Sequence, residues 1–323
     1  MRVVRVDAHA PEASAIEAAA RELARGQLVA FPTETVYGLG ARASDAAAVA
    51  KIFAAKGRPA SHPLIAHVLG EHDARALARA WPERASALAA AFWPGPLTLV
   101  VSRAAHVADA ITAGGDSVAL RAPSHPVARA LLAALGEPIV APSANRYQSL
   151  SPTRAEHVVS QFEGAEWLLI DAGPCAAGIE STVVDVRPPV ARVLRPGSVT
   201  LEALRAVLGA VDFAPGQVIA SGAIASPGMD ARHYSPRARL EVATSRAAAI
   251  ARAEAGAALV LFGEGGPVDA HRLPADPHDA GSALYALLHA LDAAAVATIV
   301  VEPPPARPGW EAVSDRLARA SVR

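Results

Sequence analysis

Residues 44–68 read SDAAAVAKIFAAKGRPASHPLIAHV and contain a helix signal followed by a strand signal. Ser44 can cap a helix whose apolar face includes Val49. This helix is expected to end at Lys56, because Gly57 follows it and glycine commonly terminates helices. The run PLIAHV then has the short apolar composition of a buried strand. A helix that leads directly into a buried strand is typical of an α/β fold.

The same alternation extends on both sides of this stretch. The pattern predicts helices over 11–25, 73–80, 83–92, 126–135, 153–162 and 201–208, and strands at QLVAF, LTLVV, SVALR, PIVA, WLLID, STVVDV and ARVLR. Thr153 and Glu156 form a capping-box pattern at one of these helices. The last three strands follow one another without a helix between them. We therefore predict a mixed sheet rather than a purely parallel one.

The composition indicates three parts of the chain. Residues 1–209 hold the alternating pattern described above. Residues 210–239 are rich in Gly, Pro and Ser, and we interpret them as a linker between domains. Residues 240–323 resume the pattern with LEVAT, ALVLF and TIVVE, each followed by a predicted helix. This second unit is predicted to be a small parallel α/β domain.

Composition and charge exclude several classes of protein. Lys and Arg number 30 against 31 acidic residues, so no overall positive field would hold a nucleic acid or an anionic membrane. Cys175 is the single cysteine, which excludes an internal disulfide and fits a reducing compartment. The N-terminal residues MRVVRVDAHAPEA lack an extended apolar core and no stretch approaches membrane-spanning length, so we expect neither export nor membrane insertion. We expect a cytoplasmic protein.

Cationic or proton-carrying side chains are concentrated around the loop after the helix that is predicted to end at Lys56. They are Lys56, Arg58, His62 and His67. A proline follows both Arg58 and His62, and this restricts their backbones toward extended geometry. Side chains held in this way suit a carboxylate or a phosphate. The alternative is that Lys56 only complements the helix dipole and that Arg58 is a solvated loop residue.

Four further segments place small polar or basic residues beside a predicted strand. They are FPTETVYGLG (31–40), PIVAPSANRYQSLSPT (138–153), GIESTVVDV (178–186) and VLRPGSV (193–199). Open α/β sheets bind ligands at strand ends, although such hydroxyls and amides also form ordinary turns. The chain contains neither GxxxxGK[ST] nor GxGxxG. If these segments face one cavity, they form a binding site of another kind.

Together with KGRP, HPLIAHV, WPGPLTLV and SVALRAPSHP, these segments closely resemble, in order, the YrdC/Sua5 family of threonylcarbamoyl-AMP synthases over about residues 12–205. SPGMDARHYSP (226–236) and AVSDRLARAS (312–321) are similar to the linker and the final segment of the two-domain Sua5 branch. The resemblance implies a YrdC-like twisted mixed sheet, with helices around a concave cleft, and a small Rossmann-like C-terminal domain. That domain is short for the branch, and it reads DRLARA where an asparagine is expected first.

The resemblance also implies a nucleotidyltransferase that condenses L-threonine, bicarbonate and ATP into threonylcarbamoyl-AMP and pyrophosphate, for transfer by other proteins onto adenosine 37 of tRNA. By resemblance, the catalytic residues are Lys56, Arg58 and Asn145. Threonine would be bound by Thr35, His67, Arg121, Ala141 and Ser181. ATP would be bound by Arg58, His62, Ser117, Ser143, Ser151, Arg195 and, from a linker folded over the cleft as a lid, Tyr234. Without a carboxylate cluster in the sequence, we expect Mg²⁺ to be carried by the triphosphate and no metal ligand from the protein.

Two other functions fit parts of the pattern. The first is an RNA-binding YrdC-like module without synthase activity. The near-neutral charge and the small number of aromatic residues (four Trp, four Tyr, six Phe) predict at most weak direct RNA binding. The second is a carbamoyl-processing hydrolase or carbamoyltransferase. Proteins of that kind in hydrogenase maturation carry acylphosphatase and zinc-finger segments, which this sequence lacks.

Overall fold

The helix and strand signals of residues 44–68 become α2 and β4 in the computed structural model, which describes residues 1–213, 233–253 and 256–322. The helices are α1 (Ala13–Ala24), α2 (Ala46–Lys56), α3 (Glu71–Ala76), α4 (Glu83–Phe92), α5 (Asp109–Thr112), α6 (Pro126–Leu135), α7 (Ala155–Gln161), α8 (Leu201–Leu208), α9 (Arg246–Ala253), α10 (Pro277–Ala293) and α11 (Glu311–Ala320). The strands are β1 (Arg2–Arg5), β2 (Val29–Phe31), β3 (Gly38–Arg42), β4 (Ile65–His67), β5 (Leu97–Ser102), β6 (Ser117–Arg121), β7 (Ile139–Val140), β8 (Leu168–Asp171), β9 (Thr182–Asp185), β10 (Ala191–Arg195), β11 (Val211–Phe213), β12 (Arg239–Val242), β13 (Ala258–Phe262), β14 (His271–Leu273) and β15 (Thr298–Val301).

The described strands form two sheets. The larger has eleven strands in the order β1-β8-β2-β3-β7-β4-β6-β5-β9-β10-β11. It is mixed, as predicted, since β4 pairs parallel with β6 and antiparallel with β7. The smaller sheet is parallel, in the order β12-β15-β13-β14. The fold is therefore the predicted α/β arrangement of a large mixed sheet and a second, small parallel one.

The starts of two helices differ from the sequence prediction. Asp45 rather than Ser44 caps α2, because the Ser44 hydroxyl donates instead to the carboxylate of Glu137 at 2.5 Å. The capping box at Thr153 is also wrong, because no side chain caps α7. The Thr153 hydroxyl lies 3.4 Å from the Nδ1 atom of His157 instead. In both cases another side chain engages the predicted capping hydroxyl: Glu137 from a distant part of the chain for Ser44, and His157 of the same helix for Thr153.

Four strands were not predicted, namely β1, β3, β11 and β14. β3 has the sequence GLGAR, and its glycines indicated a turn rather than a strand. The structure explains them by close packing: a side chain at Gly40 would overlap the ring of Phe31 on the adjacent strand. β14 adds a fourth strand where the sequence predicted a unit with three. β11 and β14 have only three residues each, too few to show a period.

The large sheet ends at Phe213 and the small sheet begins at Arg239. The predicted linker, 210–239, lies mostly in residues 214–232, outside the described residues, and stays a prediction together with its role as a lid. Among the described helices, none combines the length and the apolar character needed to cross a membrane.

The small sheet and its helices pack against the large one through a shared apolar core. Val36, Leu150 and Ile179, from loops of the large sheet, belong to the same buried cluster as Tyr285 and Trp310 of the C-terminal unit. These three residues sit in segments that the sequence marked as strand-end loops. The C-terminal unit therefore packs against the strand-end loops where a site was predicted.

A tight backbone contact at this junction gives a test of the packing. Gly178 has φ 59°, and a Cβ there would overlap the main chain of Ser282 in α10. Gly173 also has a positive φ, 81°, but open space around it. We expect Gly178→Ala to lower the free energy of unfolding by about 2 kcal/mol more than Gly173→Ala, because only the former adds overpacking to backbone strain. Urea titrations of both variants measure this difference, and equal losses would contradict the packing.

Candidate active site

A cleft of about 510 Å³, including space open to solvent, lies beside the junction of the two units. It is lined by Thr33, Thr35, Val36, Gly38, Ile65, His67, Arg121, Ala141, Pro142, Ser143, Glu180, Ser181, Arg195, His233 and Tyr234. Eight of these were named as site residues from the sequence: Thr35, His67, Arg121, Ala141, Ser143, Ser181, Arg195 and Tyr234. Segments far apart in the sequence therefore meet at one cavity, which is the arrangement that the repeated strand-end pattern indicated.

One wall of the cleft comes from β4 and β6. These strands are parallel, and their register places His67 opposite Arg121. The guanidinium of Arg121 lies 2.7 Å from a carboxylate oxygen of Glu34, and both side chains are largely buried. Thr35 is completely buried on the same side, with its hydroxyl 2.8 Å from that of Thr33. An arginine held this way can receive a carboxylate beside hydroxyl groups.

His67 is neutral in this wall. Its ring is buried, and Nδ1 has no hydrogen-bond partner among the described residues. Burial, and then the charge of Arg121, lower the pKa of His67 to about 3. A neutral imidazole with an unused nitrogen can accept or donate one hydrogen bond to a ligand without adding charge.

The depressed pKa predicts a pH dependence of stability. In the unfolded chain a histidine takes up a proton near pH 6.5. Folded His67 does so only near pH 3. Between these values the unfolded state binds more protons, so the free energy of unfolding falls as the pH falls. The unmodified protein should therefore lose free energy of unfolding when the pH is lowered from 7.5 to 5. We expect His67→Gln to make this loss smaller by roughly 2 kcal/mol.

Urea unfolding at the two pH values measures this difference. His106→Gln is the matched control, because His106 is exposed to solvent. A His67→Gln protein that loses as much stability on acidification as the unmodified chain would contradict a neutral, buried His67.

A second wall comes from the loop after β7, which contains Ser143, and the basic loop packs behind it. Lys56, at the end of α2, is buried, and its ammonium group donates to the carbonyl of Ser143 at 2.6 Å and to that of Asn145. Burial, and then the charge of Arg58, lower the pKa of Lys56 well below its usual range. The cation predicted from the sequence therefore holds the Ser143–Asn145 backbone next to the cleft.

A third wall joins β9 and β10. Arg195 is buried and donates twice to the carbonyl of Ser181, at 2.9 and 3.2 Å, and once to its hydroxyl, at 3.1 Å. That hydroxyl also lies 2.7 Å from the hydroxyl of Thr98. Arg195 is thus fixed at the strand end, with its position set by the main chain of the neighbouring strand.

Six of the predicted residues do not line the cleft itself. They are Lys56, Arg58, His62, Ser117, Asn145 and Ser151. All six are largely buried. The amide of Asn145 donates to the carbonyl groups of Arg146 and Ser149 at 2.7 and 2.9 Å. The catalytic roles of Lys56, Arg58 and Asn145, and the binding of ATP by Arg58, His62, Ser117 and Ser151, stay predictions.

Arg58 and Ser117 differ in their relation to the cleft. Arg58 donates to the carbonyl of Pro63 at 3.2 Å. It also lies close enough to His233, which lines the cleft, that its charge adds to burial in lowering the pKa of this histidine. Ser117 begins β6, at the opposite end of that strand from Arg121, and pairs with Ser102 of β5. The strand direction therefore separates Ser117 from the residues of the first wall.

Two aromatic residues at the site, Tyr147 and His233, were not identified from the sequence. His62 contacts the ring of Tyr147 edge-on, with centroids 5.5 Å apart, and Tyr147 contacts His233 at 6.3 Å. His233 in turn packs against Tyr234 at 4.0 Å, and Tyr234 has the unusual φ of 60°. These rings connect the basic loop to the segment that begins the C-terminal unit. Little in the sequence indicated Tyr147 and His233, since isolated aromatic residues are also common in cores.

Two acidic residues also lie at the site. Glu34 and Glu180 sit inside segments quoted above, but their neighbours with hydroxyl groups were chosen instead. Each carboxylate is paired with an arginine, Glu34 with Arg121 and Glu180 with Arg316 of α11. Both side chains are therefore engaged by protein cations, which makes them poor candidates for holding a metal.

Elsewhere in the described part of the chain, one group of side chains has ligand atoms close enough for a metal: Asp276, His278 and Asp279. These residues are exposed at the start of α10. Asp276 already caps this helix by accepting from the amides of His278 and Asp279. The group is explained by helix capping.

The fold and the cleft define a class: a two-sheet α/β protein with buried arginines in the wall of one cavity and a buried lysine behind it. Comparisons with known protein families identify the family. The family model described as telomere recombination, covering Sua5, YciO and YrdC, matches residues 21–197. A second model, described as the C-terminal domain of threonylcarbamoyl-AMP synthase, matches residues 199–322.

Named relatives and a solved structure are also similar. The threonylcarbamoyl-AMP synthase of Pyrococcus abyssi is 47% identical over 230 residues, which are 70% of this chain and 67% of that protein. The Bacillus subtilis protein of the same name is 43% identical, covering 70% of this chain and 66% of the relative. The crystal structure of P. abyssi Sua5 complexed with L-threonine superposes with a TM-score of 0.91 at 37% identity, over 99% of this chain and 98% of the other.

The chain belongs to the Sua5/YciO/YrdC family. The two matching family models together cover almost the whole chain, and the superposition includes both sheets. The resemblance to this family, and the second α/β unit of its two-domain branch, are confirmed.

Proposed function

We propose that this protein is an L-threonylcarbamoyladenylate synthase, a nucleotidyltransferase that condenses L-threonine, bicarbonate and ATP into threonylcarbamoyl-AMP and pyrophosphate. The observation that carries the proposal is the meeting of Arg121 and Arg195 in one cleft, with Lys56 behind its wall. All the substrates carry anionic groups, and they repel one another unless cations separate them. Relatives named threonylcarbamoyl-AMP synthase at 40–47% identity support the assignment.

The first wall suits the amino acid. Arg121 would bind the threonine carboxylate, and neutral His67 and Thr35 would accept or donate hydrogen bonds to its polar groups. Ala141 and Ser181 line the same cleft and would complete this half of the site. The relative whose structure contains L-threonine has the same overall fold.

The reaction would proceed by direct displacement. The amine of threonine adds to CO₂ formed from bicarbonate, and the resulting carbamate oxygen attacks the α-phosphorus of ATP in line with the departing pyrophosphate. Lys56, Arg58 and Asn145 would act where the carbamate and α-phosphate meet. Bound anions favour the charged form of Lys56, which burial disfavours, so substrate binding would be coupled to protonation of this lysine.

The remaining groups would hold the nucleotide: His62, Ser117, Ser143, Ser151, Arg195 and Tyr234. Mg²⁺ would enter on the triphosphate, since both carboxylates beside the cleft are already paired with arginines. The product would pass to a separate tRNA threonylcarbamoyltransferase that forms the t6A modification. We place the enzyme in the cytoplasm, where these substrates and tRNA occur together.

Pyrophosphate release tests the reaction class. The purified chain should convert ATP to pyrophosphate only when threonine and bicarbonate are both present, and each should be omitted in turn. Conversion without either one would contradict the proposed condensation. Mass spectrometry of the quenched reaction should show the mixed anhydride of threonine carbamate and AMP.

A further inference from the structure

Glu180 is an unexpected residue in a cleft for anions. Its side chain is buried, with 6% exposed, and it lines the cavity next to Arg195 and Ser181. A carboxylate in this position would repel a triphosphate at close range. The burial and the charge together require a compensating cation.

The compensating cation comes from the C-terminal unit. Arg316 of α11 is 1% exposed, and its Nε donates to Glu180 at 2.7 Å. A second nitrogen of Arg316 donates to the carbonyl of Pro196 at 3.0 Å, in the turn after β10. The hydroxyl of Tyr285, in α10, donates to the same oxygen of Glu180 at 3.1 Å. Two C-terminal helices therefore converge on one carboxylate of the cleft.

This ion pair contacts two side chains that the family resemblance assigns to ATP. Ser151 donates its hydroxyl proton to the other oxygen of Glu180. The guanidinium of Arg316 lies over the ring of Tyr234, 4.9 Å from its centroid. The pair thus links the C-terminal helices to Ser151 on one side and to Tyr234 on the other.

We infer that Arg316 is a positioning residue for the ATP half of the site: it neutralises Glu180 in the cleft, and together they hold Ser151 and Tyr234 for the nucleotide. This inference rests on the proposed function and adds a role for the C-terminal unit. The threonine half, built on Arg121 and His67, does not contact this pair through any hydrogen bond or ion pair in the described residues.

Charge neutralisation predicts opposite effects of the two single substitutions. Arg316→Met removes the cation that pairs with Glu180 and leaves only the smaller charge compensation by Arg195, so the affinity for a non-hydrolysable ATP analogue should fall at least tenfold and KM for ATP should rise accordingly. Glu180→Gln removes the repulsion and still accepts from Ser151, so this affinity should be unchanged or higher. The double variant Glu180→Gln/Arg316→Met should regain most of the affinity that Arg316→Met loses.

The matched control is Arg246→Met. Arg246 begins α9 in the same unit and pairs with the buried carboxylate of Glu302 at 2.8 Å, and neither residue lines the cleft. This substitution should leave the affinity for the ATP analogue within threefold of the unmodified protein. Threonine affinity, measured by calorimetry on each variant, should stay within threefold and shows that the proteins are folded.

The outcomes separate the inference from the proposed function. An Arg316→Met protein that binds threonine and the ATP analogue as the unmodified chain does would overturn the inference alone. Equal losses of analogue affinity in both single variants, without recovery in the double variant, would mark the pair as merely structural and also overturn it. A chain that binds both ligands yet releases no pyrophosphate would instead overturn the proposed function.

Discussion

Lys56→Met should lower kcat for pyrophosphate release by about 10²–10³-fold, the usual effect of removing one group that stabilises transition-state charge. Methionine nearly preserves the shape of the lysine stem, so the cavity around α2 stays filled. The substitution removes the ammonium group that donates to the carbonyls of Ser143 and Asn145. It also removes a buried group whose charged form is costly without ligand, so the stability of the free protein should change little.

Lys51→Met on the same helix is the matched control. Lys51 is exposed, and its ammonium group donates to the carbonyl of Gly26 at 2.6 Å, away from the cleft. It should keep full activity. Steady-state pyrophosphate release at saturating threonine, bicarbonate and ATP gives kcat for both variants. If Lys56→Met turns over as fast as Lys51→Met, Lys56 has no part in the chemistry.

Much of the fold could be predicted because its long apolar strands and amphipathic helices have clear periods. LTLVV, SVALR and WLLID are mostly apolar, and each forms a strand within one residue of the predicted bounds. Strands β3 and β14 were missed for physical reasons. The first is rich in glycine because a ring packs against it, and the second has only three residues.

Site residues could be predicted where a charged side chain lies at the end of a predicted strand. Arg121 and Arg195 end strands β6 and β10, and both line the cleft. Arg316 gave no such signal, because it lies on a helix in the other unit and meets Glu180 only through the packing of the two units. A cation that serves a carboxylate more than a hundred residues away in the chain cannot be inferred from local patterns.

The ion pairs beside the cleft also set the pH response of the site. Burial raises the pKa of Glu180, but Arg316 and then Arg195 outweigh it, so the pKa of this carboxyl lies below its usual value. Its folded-state pKa is depressed, so its contribution to stability is complete above the unfolded value and is lost as the pH falls. The depressed pKa of His67 also makes the folded protein less stable as the pH falls. Both groups therefore make the folded protein more stable at neutral pH than at acidic pH.

Arg121→Gln should weaken threonine binding by about 100-fold, since charged hydrogen bonds are worth more than neutral ones and a broken buried pair leaves its partner uncompensated. The side chain of Arg121 is only 5% exposed, and its partner Glu34 would face the threonine carboxylate without a neighbouring cation. Two like charges would then share a poorly hydrated wall. The effect should appear in the Kd for threonine and in its KM, with less change in the affinity for an ATP analogue.

Arg187→Gln is the control for Arg121→Gln, because it also breaks a partly buried ion pair but should not remove a contact to threonine. Arg187 is partly buried and pairs with Asp185 at 2.8 Å, but it does not line the cleft. Its substitution should lower stability while threonine affinity stays within threefold. Calorimetric titration with threonine compares the two variants directly. A Kd that rises equally in both would mean that threonine affinity follows general stability, whereas a rise confined to Arg121→Gln places the carboxylate of the amino acid at the end of β6.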